Sequence, residues 1–360
     1  MRFHKMTSLI NLQNYDVFDV VVVGAGPSGA AAAKRLVEGR ANVLIIEKGI
    51  VPRFKMCGGL VAPEAQRLVR GYFGEIPEAV RCRPNVLEGY KVFFSETNCM
   101  EFPIEMLGST GEVVHIWRDK FDLWLAESSG AKLRDNCRFV SYCCDADTIT
   151  IFVRDRDREK EIKARYLLGA DGADSAVRKV LYPDFRSKLK WLPIYEEWYE
   201  GRCDLDPNWV YSFLISQENK CWGALGHHDE LLQVSVSSGT GRDVKAAFRR
   251  FCDYMESRHG LQVDKTVRKA GCIQNNMGRS GQFIFGSGNV LLAGEAAGLL
   301  NMSSEGITPA LASGHIAGDA ILESMRENTS GIDAYLPNIA VERDKTIESH
   351  RLAKSVFKQG

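Results

Sequence analysis

No charge of either sign dominates this chain: 46 Lys and Arg balance 46 Asp and Glu across 360 residues. A basic footprint for nucleic acid or an acidic membrane surface is therefore missing, and neither partner is expected. Long apolar runs are missing as well. No stretch approaches the roughly 18 residues that a membrane-spanning helix needs, so no transmembrane segment is expected. The opening MRFHKMTSLINLQNYD has basic residues but no continuous apolar core, which argues against a secretory signal. Ten cysteines are present, none in a CxxC pair, so zinc-ligand spacing is absent and a disulfide scaffold is not expected. Reduced, mostly buried thiols and a cytoplasmic location are the expectation. Repeats and low-complexity tracts are also lacking, and the length fits about two domains.

What is present starts at residue 21 with VVVGAGPSGAAAAKRLVEGRANVLIIEKG. Phe18 to Val23 is an apolar, β-branched run, the pattern of a strand buried on both faces. It runs into Gly24-Ala25-Gly26-Pro27-Ser28-Gly29, a GxGxxG turn, and then into an alanine-rich helix over Ala30 to Val37. A second apolar run, Asn42 to Ile46, ends in Glu47. Gly24 serves the tight turn, Gly26 lets the backbone approach a pyrophosphate, and Gly29 lets helix and strand pack closely. The helix N-terminus supplies free N–H groups and partial positive charge to the phosphates. Glu47 is placed to accept hydrogen bonds from a ribose diol, which favours FAD or NAD over NADP. A glycine turn in some other α/β unit is the alternative. There is no second fingerprint: in SSGTGRDVKAAF the third small position falls on Val244 and no acid-ended strand follows.

Two later stretches repeat the strand-to-loop junction. RYLLGADGADSAVRKVL reaches Asp171-Gly172 before a helix near Ser175, and GNVLLAGEAAGLLNMSSEGITPALASGHIAGDAI reaches Gly294-Glu295 before a long small-residue helix. With GxGxxG first, "DG" in the middle and "GD"-like last, the chain resembles the FAD-dependent aromatic-hydroxylase superfamily over roughly residues 17 to 325. That resemblance implies FAD as cofactor. It implies an α/β fold in which a Rossmann-type FAD-binding domain carries an inserted mixed β-sheet substrate domain. It also implies that Arg118, in WRDKFDLWLAE, contacts the flavin side and that Asp171 supports the pyrophosphate region. Glu295 stands where the family usually has an aspartate bonding the ribityl chain, and Gly306 and Ile307 present backbone N–H groups to the flavin ring. Lys48 and Val140 complete the cofactor contacts expected. Without the resemblance, Arg118 reads as a surface helix start, Asp171 and Ser175 as a turn and an N-cap, and Arg178 as a solvated helix residue.

The stretch GIVPRFKMCGGLVAPEAQRLV narrows the family. Pro52, Arg53, Lys55, Cys57, Gly58 and Gly59 reproduce a Pro-Arg-x-Lys-x-Cys-Gly-Gly run, so the chain resembles the geranylgeranyl reductase family, where flavin-dependent halogenases have Gly-Glu-Ser instead. By that resemblance Arg53 belongs to the cofactor site, the backbone at Gly58-Gly59 passes the flavin edge, and Cys57 is either a proton donor beside it or a small packed residue. The prenyl reductases' aromatic-x-Trp-x-Phe-Pro stretch is only half kept: Trp222 is present, but Ala224-Leu225 replace Phe-Pro.

The expected FAD-binding domain comprises residues 15–84, 114–182 and 283–330, and the substrate domain 85–113 and 183–282. Aromatics of the latter (Tyr90, Phe93, Phe94, Trp191, Tyr195, Trp198, Tyr199, Trp209, Tyr211, Phe213) are expected mostly in its core. His227 and His228 should point to opposite faces of a strand, so at most one, His228, joins Trp222 as a substrate residue. With no third ligand near the pair, no metal is expected. The tail, 331–360, alternates charges at helical spacing and reads as a mostly solvated helix open to a partner. The functional expectation is an FAD-dependent oxidoreductase acting on an apolar or aromatic small molecule. A flavin monooxygenase and a maturation flavoprotein acting on a protein side chain are the alternatives. Electrons would come from an external donor or from transiently bound NAD(P)H.

Overall fold

The computed structural model describes residues 16–103, 113–146, 148–216, 221–238 and 243–356. The leader before Asp16, residues 104–112 of the expected substrate domain, Gly239 and Gly241 of the two-glycine stretch, and the tail beyond Val356 lie outside the described residues. Strand β1 (Asp16–Val23) forms where the sequence is richest in valine, and Val20, Val21 and Val22 are completely buried. It lies between β2 (Val43–Ile46) and β11 (Arg158–Gly169), parallel to both. Outside these, β8 (Lys132–Arg134) pairs with β2, and β18 (Val290–Leu292) pairs with β11 and with β17 (Gly286–Ser287). The long β11 also carries an antiparallel extension through β10 (Thr148–Asp155) to β9 (Cys137–Asp145).

Register decides what this sheet displays. Val23 is opposite both Ile46 and Gly169, and Gly169 is opposite Leu292. Four parallel strands therefore end on one line, and the residues that follow each end are Gly24, Glu47, Ala170-Asp171 and Ala293-Gly294-Glu295. Open α/β sheets bind ligands outside such carboxyl ends.

Helix α1 (Pro27–Glu38), opened by Pro27, covers the sheet together with α7 (Ile307–Glu327). The two helices touch at backbone distance: a Cβ on Gly314 would collide with the carbonyl of Ser28, and one on Gly318 would sit 3.0 Å from Arg35 Cβ. Helices α2 (Pro63–Phe73) and α3 (Arg118–Ser128) pack a second core with a small sheet of β3 (Leu60–Val61), β7 (Val113–Ile116) and β4 (Arg81–Leu87). The short α4 (Ala176–Leu181) and α6 (Met277–Ser280) close loops.

The second large sheet has the order β16 (Gln262–Asn275), β12 (Trp191–Arg202), β15 (Leu231–Ser237), β14 (Cys221–His228), β13 (Trp209–Ser216), β5 (Gly89–Phe93), β6 (Cys99–Pro103). All its pairings are antiparallel except β13 with β5, so it is mixed. Helix α5 (Val244–His259) covers one face, packing Phe248, Phe251 and Met255 on Phe213, Leu225, Val234 and Val236. Gly223 makes room for this, since a Cβ there would lie 2.6 Å from the Phe251 ring. Tyr199, Trp209, Tyr211 and Phe213 join that core, as the aromatic pattern suggests, whereas Trp198 is buried on the opposite face.

The final helix, α8 (Gly331–Val356), departs from the expected solvated tail. Tyr335, Ile339, Glu342 and Thr346, spaced by four, three and four, form a buried seam against α7 and its surroundings. The charge alternation hid that seam because Leu336, Val341 and Leu352, also apolar, point outward. Tyr335→Ala is expected to cost about 3–5 kcal/mol in urea unfolding, the range for emptying a buried aromatic site. Leu336→Ala, at an exposed position, should stay within about 0.5 kcal/mol of the parent.

Candidate active site

The glycine turn after β1 has the shape its sequence implies. Gly24 adopts φ +109°, and a side chain there would run into the Ala170 carbonyl, while a Cβ on Gly29 would collide with the carbonyl of Gly24. At Gly26 the nearest atom to an added Cβ is Arg53 Nη2, 3.9 Å away, so the backbone is open on that side. Ala25, Pro27 and Ser28 complete the loop at the N-terminus of α1, where unpaired N–H groups and the helix dipole favour an anion.

Glu47 is buried at the end of β2. Its Oε2 accepts a hydrogen bond from Ala25 N at 3.1 Å and its Oε1 one from Gly49 N at 3.0 Å, while Arg53 Nε lies 3.1 Å from Oε2. Burial alone would raise its carboxyl pKa. The Arg53 charge and the two backbone donors outweigh that and hold it below the ordinary 4.5. Arg53 continues to Asp122 (Nη1 to Oδ2, 3.3 Å), and Asp122 accepts from Arg118 Nε at 3.0 Å and Nη2 at 3.1 Å. Arg118 is thus not a surface helix start: it is sunk in the structure, and its guanidinium reaches the thiol of Cys57. Desolvation works against its charge, and Asp122 foremost holds the proton on. Sequence reading missed Asp122, although its position four residues after Arg118 on α3 was a legible helical pair.

Three buried oxygens around the strand ends have no hydrogen-bond partner: Ser28 Oγ, Asp171 Oδ1 and Glu295 Oε1. Each belongs to one of the three motifs. Asp171 spends its other oxygen on Ala176 N and Val177 N, capping α4, so the turn-and-cap role and an outward-facing acceptor coexist in one carboxylate. Burial pushes the Glu295 carboxyl up, only partly countered by Lys55 and Arg178. Orphaned buried acceptors are rare in folded proteins. Their convergence with the glycine cradle fits a nucleotide rich in hydroxyl donors, so FAD fits the residues present. Ser28, Asp171 and Glu295 would hold its polar groups, and Gly24, Gly26 and Gly29 its pyrophosphate.

One expectation comes out differently. Arg178 is buried, not solvated; its guanidinium donates to the carbonyls of Ala296 and Ala173, tying the second motif to the third. Lys48 is exposed on the turn after β2. Val140 lies on β9 with its side chain 49 % exposed, and no contact joins it to the other motif residues among the described ones.

The loop bearing Cys57, Gly58 and Gly59 lies between the two large sheets. Gln233 Nε2 donates to Cys57 O at 3.2 Å and to Glu196 Oε2 at 2.7 Å, and Phe54 meets Trp198 edge-on. Gly59, with φ +67°, passes so close to the Ile116 carbonyl that no side chain fits. On the third side, Gly306 caps the 21-residue α7 and Ile307 begins it; Ser304 Oγ next to them donates to Gln274 Oε1 on β16 at 2.9 Å.

Register identifies the sheet face turned toward this loop. Ala270, Glu196, Ser235, Ala224, Ser212 and Val92 form one row, each opposite the next. The row is small-sided, and Ser235, Ala224, Ser212 and Val92 are only half-buried, unlike the other face beneath α5. Trp222 flanks it on one side, opposite Leu214, and Tyr90 on the other, opposite Val210. Burial pushes the Tyr90 hydroxyl pKa up, as do Glu305 and Cys57, so it keeps its proton. His227 and His228 do point to opposite faces: His227 meets Cys203, and His228 is shut in behind the loop against His115, Trp117 and Trp198. Tyr90's neighbours, Glu196 and Gln233 come together only through strand register, for which the sequence carries no local signal.

Comparison with known proteins agrees with this geometry. The model of the family described as FAD binding domain matches residues 17–301. Protein CbrA of Escherichia coli O9:H4 (strain HS) is 30% identical over 325 residues, 87% of this chain and 84% of that protein. A geranylgeranyl bacteriochlorophyll reductase-like protein from Thermoplasma acidophilum superposes with TM-score 0.79 at 18% identity, covering 93% of this chain and 85% of its own. The myxobacterial chondrochloren halogenase CndH gives TM-score 0.74 at 16% identity, over 94% and 82%. At such identities these two speak for the fold.

Asp122→Asn leaves the enclosed Arg118 guanidinium without its carboxylate, and the partly exposed Arg53 with Glu47 alone, and should cost about 3 kcal/mol in urea unfolding, the low end for breaking a buried pair. Glu47 sets a pH signature. Because its folded pKa lies below 4.5, its contribution is complete above that pH and is lost as pH falls through the folded value. The stability gap between the parent and Glu47→Gln should accordingly be constant near neutrality and close in acid.

Proposed function

The chain belongs to the FAD binding domain family and binds FAD; from this we propose that it is a flavin-dependent oxidoreductase that reduces or oxidises an apolar, partly unsaturated small molecule held against the second sheet. One observation carries the reading of the substrate: the face turned to the Cys57–Gly59 loop is a half-buried row of small side chains between Trp222 and Tyr90. Such a face suits a flat or extended apolar molecule and offers little to a charged one.

FAD, when bound, supplies the electron-pair transfer. The chain's own residues position and protect. The backbone N–H groups of Gly306 and Ile307 open α7 and would offer positive partial charge to a flavin ring held there. Cys57 Sγ is offered as the proton donor that accompanies saturation of a carbon–carbon double bond, with the Arg118 guanidinium beside it as the fixed positive charge. Tyr90 keeps its O–H as a hydrogen-bond donor at the same place. Electrons come from an external donor or from NAD(P)H bound transiently, since no second dinucleotide fingerprint is present in the sequence. The resemblance to geranylgeranyl reductases in Pro52 to Gly59 supports the reductive direction.

The test begins with the visible spectrum of the purified protein, which should show bound flavin. After anaerobic reduction, slow reoxidation in air together with consumption of an alkene substrate is expected. Oxygen-dependent hydroxylation with fast reoxidation would replace this reading by a monooxygenase, and modification of a co-purifying protein by a maturation enzyme. Cys57→Ala should retain FAD and lower turnover by roughly 100-fold, the lower end of general acid catalysis. Unchanged turnover would remove Cys57 from the chemistry.

A further inference from the structure

We propose that Cys82, His115 and His228 form a binding site for one zinc-class divalent cation, behind the Cys57–Gly59 loop and outside the cofactor motifs. The three residues come from β4, β7 and β14, and all are buried. Each offers a ligand atom within 4.8 Å of the other two. One thiol and two imidazoles make a donor set suited to zinc, with a fourth position left open.

Proximity alone would also fit a packed polar cluster. What points to a cation is the hydrogen bonding of His115. Its Nδ1 lies 3.2 Å from Pro84 O, and its Nε2 lies 3.2 Å from Gly58 O and 3.0 Å from His228 Nε2. Both ring nitrogens thus face carbonyl oxygens, which only accept. A neutral imidazole carries one N–H; with it on Nδ1 toward Pro84 O, Nε2 and the Gly58 carbonyl are two acceptors left to share the single N–H that His228 Nε2 can turn toward them. A cation on Nε2, with Nδ1–H donating to Pro84 O, satisfies both ring nitrogens of His115. It is also the arrangement in which metal-bound histidines are held, the second nitrogen donating to a backbone carbonyl. His228 Nδ1 is buried without a hydrogen-bond partner, so no neighbour fixes this ring's tautomer and its Nε2 is free to coordinate.

The ligands are also pre-positioned through their neighbours. Asp229, next to His228, donates from its N to Arg83 O at 2.7 Å and accepts from Arg83 N at 2.8 Å and from Trp117 Nε1 at 2.8 Å. One aspartate therefore clamps the residue after Cys82 and the residue two after His115 to the end of β14. With metal–nitrogen bonds of about 2.0–2.1 Å, tetrahedral ligand nitrogens stand roughly 3.3 Å apart. The imidazoles need to part by only a few tenths of an ångström to reach that spacing. On binding, the Cys82 thiol gives its proton to solvent and coordinates as thiolate. The Gly58 carbonyl faces the open position, so the ion would also fix the loop that carries Cys57.

The experiment uses the full-length flavoprotein, purified without chelator or histidine tag, with zinc alone and then cobalt(II) alone as probes. Elemental analysis should find one zinc per chain after removal of loose metal. Exchange for cobalt(II) should produce thiolate-to-metal charge transfer and visible bands to the red of the flavin. Cys82→Ser and His228→Gln should each lose the bound zinc while keeping the flavin spectrum, which reports the fold. Parent protein that takes up neither metal overturns the proposal, as does a Cys82→Ser protein that retains zinc. Should the variants fail to fold, the cobalt spectrum of the parent decides, because charge transfer requires the thiolate. A parent that prefers copper(I) to zinc would also overturn the assignment of the ion.

Discussion

Everything at the candidate site hangs on the register of four parallel strands. Val23, Ile46, Gly169 and Leu292 end their strands on one line, and side chains separated by well over a hundred residues become neighbours at the next peptide. A slip of one residue in any of these pairings would turn a motif to the other face of the sheet. The buried valines of β1 and the isoleucines of β2 guard against it, because both faces of the sheet are covered and every shift exposes or strands apolar surface.

From that line a chain of alternating charge leads inward: Glu47, Arg53, Asp122, Arg118, and then the Cys57 thiol. Its members come from the end of β2, the following loop and α3. In a poorly hydrated interior such a chain holds only when each ion has its counter-ion in contact. The geometry at the end of β2 is therefore coupled to the geometry of the Cys57 loop by contacts between charged groups. The same loop is pinned from the second sheet by Gln233, so cofactor motifs and substrate face share a frame.

The sequence disclosed the parts of this frame that are local. GxGxxG between an apolar run and an alanine-rich helix specifies a turn, a close approach and a dipole without further context, and the same holds for the Asp171 cap. It disclosed less where side chains meet across register. Nothing near Glu196, Gln233 or His115 indicates what they touch, because their partners are set by the pairing of strands far away in the chain. The burial of Arg178 and of one seam of α8 is hidden in the sequence for a related reason. An arginine in a charged helix and a helix of alternating charge both look solvated until a neighbour covers one side, here the Ala296 carbonyl and helix α7. His228 was judged beside His227, its neighbour in sequence, whereas its neighbour in space is His115.

The glycines that let α7 lie on α1 also restrict how this chain can drift. At Gly314 the opposing atom is backbone, so no compensating change of a side chain on α1 can make room for a larger residue. At Gly318 an added Cβ would meet Arg35 Cβ at 3.0 Å and the Ala32 carbonyl at 3.1 Å, an overlap that a small shift of the helices relieves. One helix contact thus contains a position closed to substitution and, a turn later, one that is merely tight. The closed one lies against Ser28 of the glycine turn, and the tight one a turn further from it. Variation among related chains should accumulate from the outer end of this helix pair and fade toward the glycine turn.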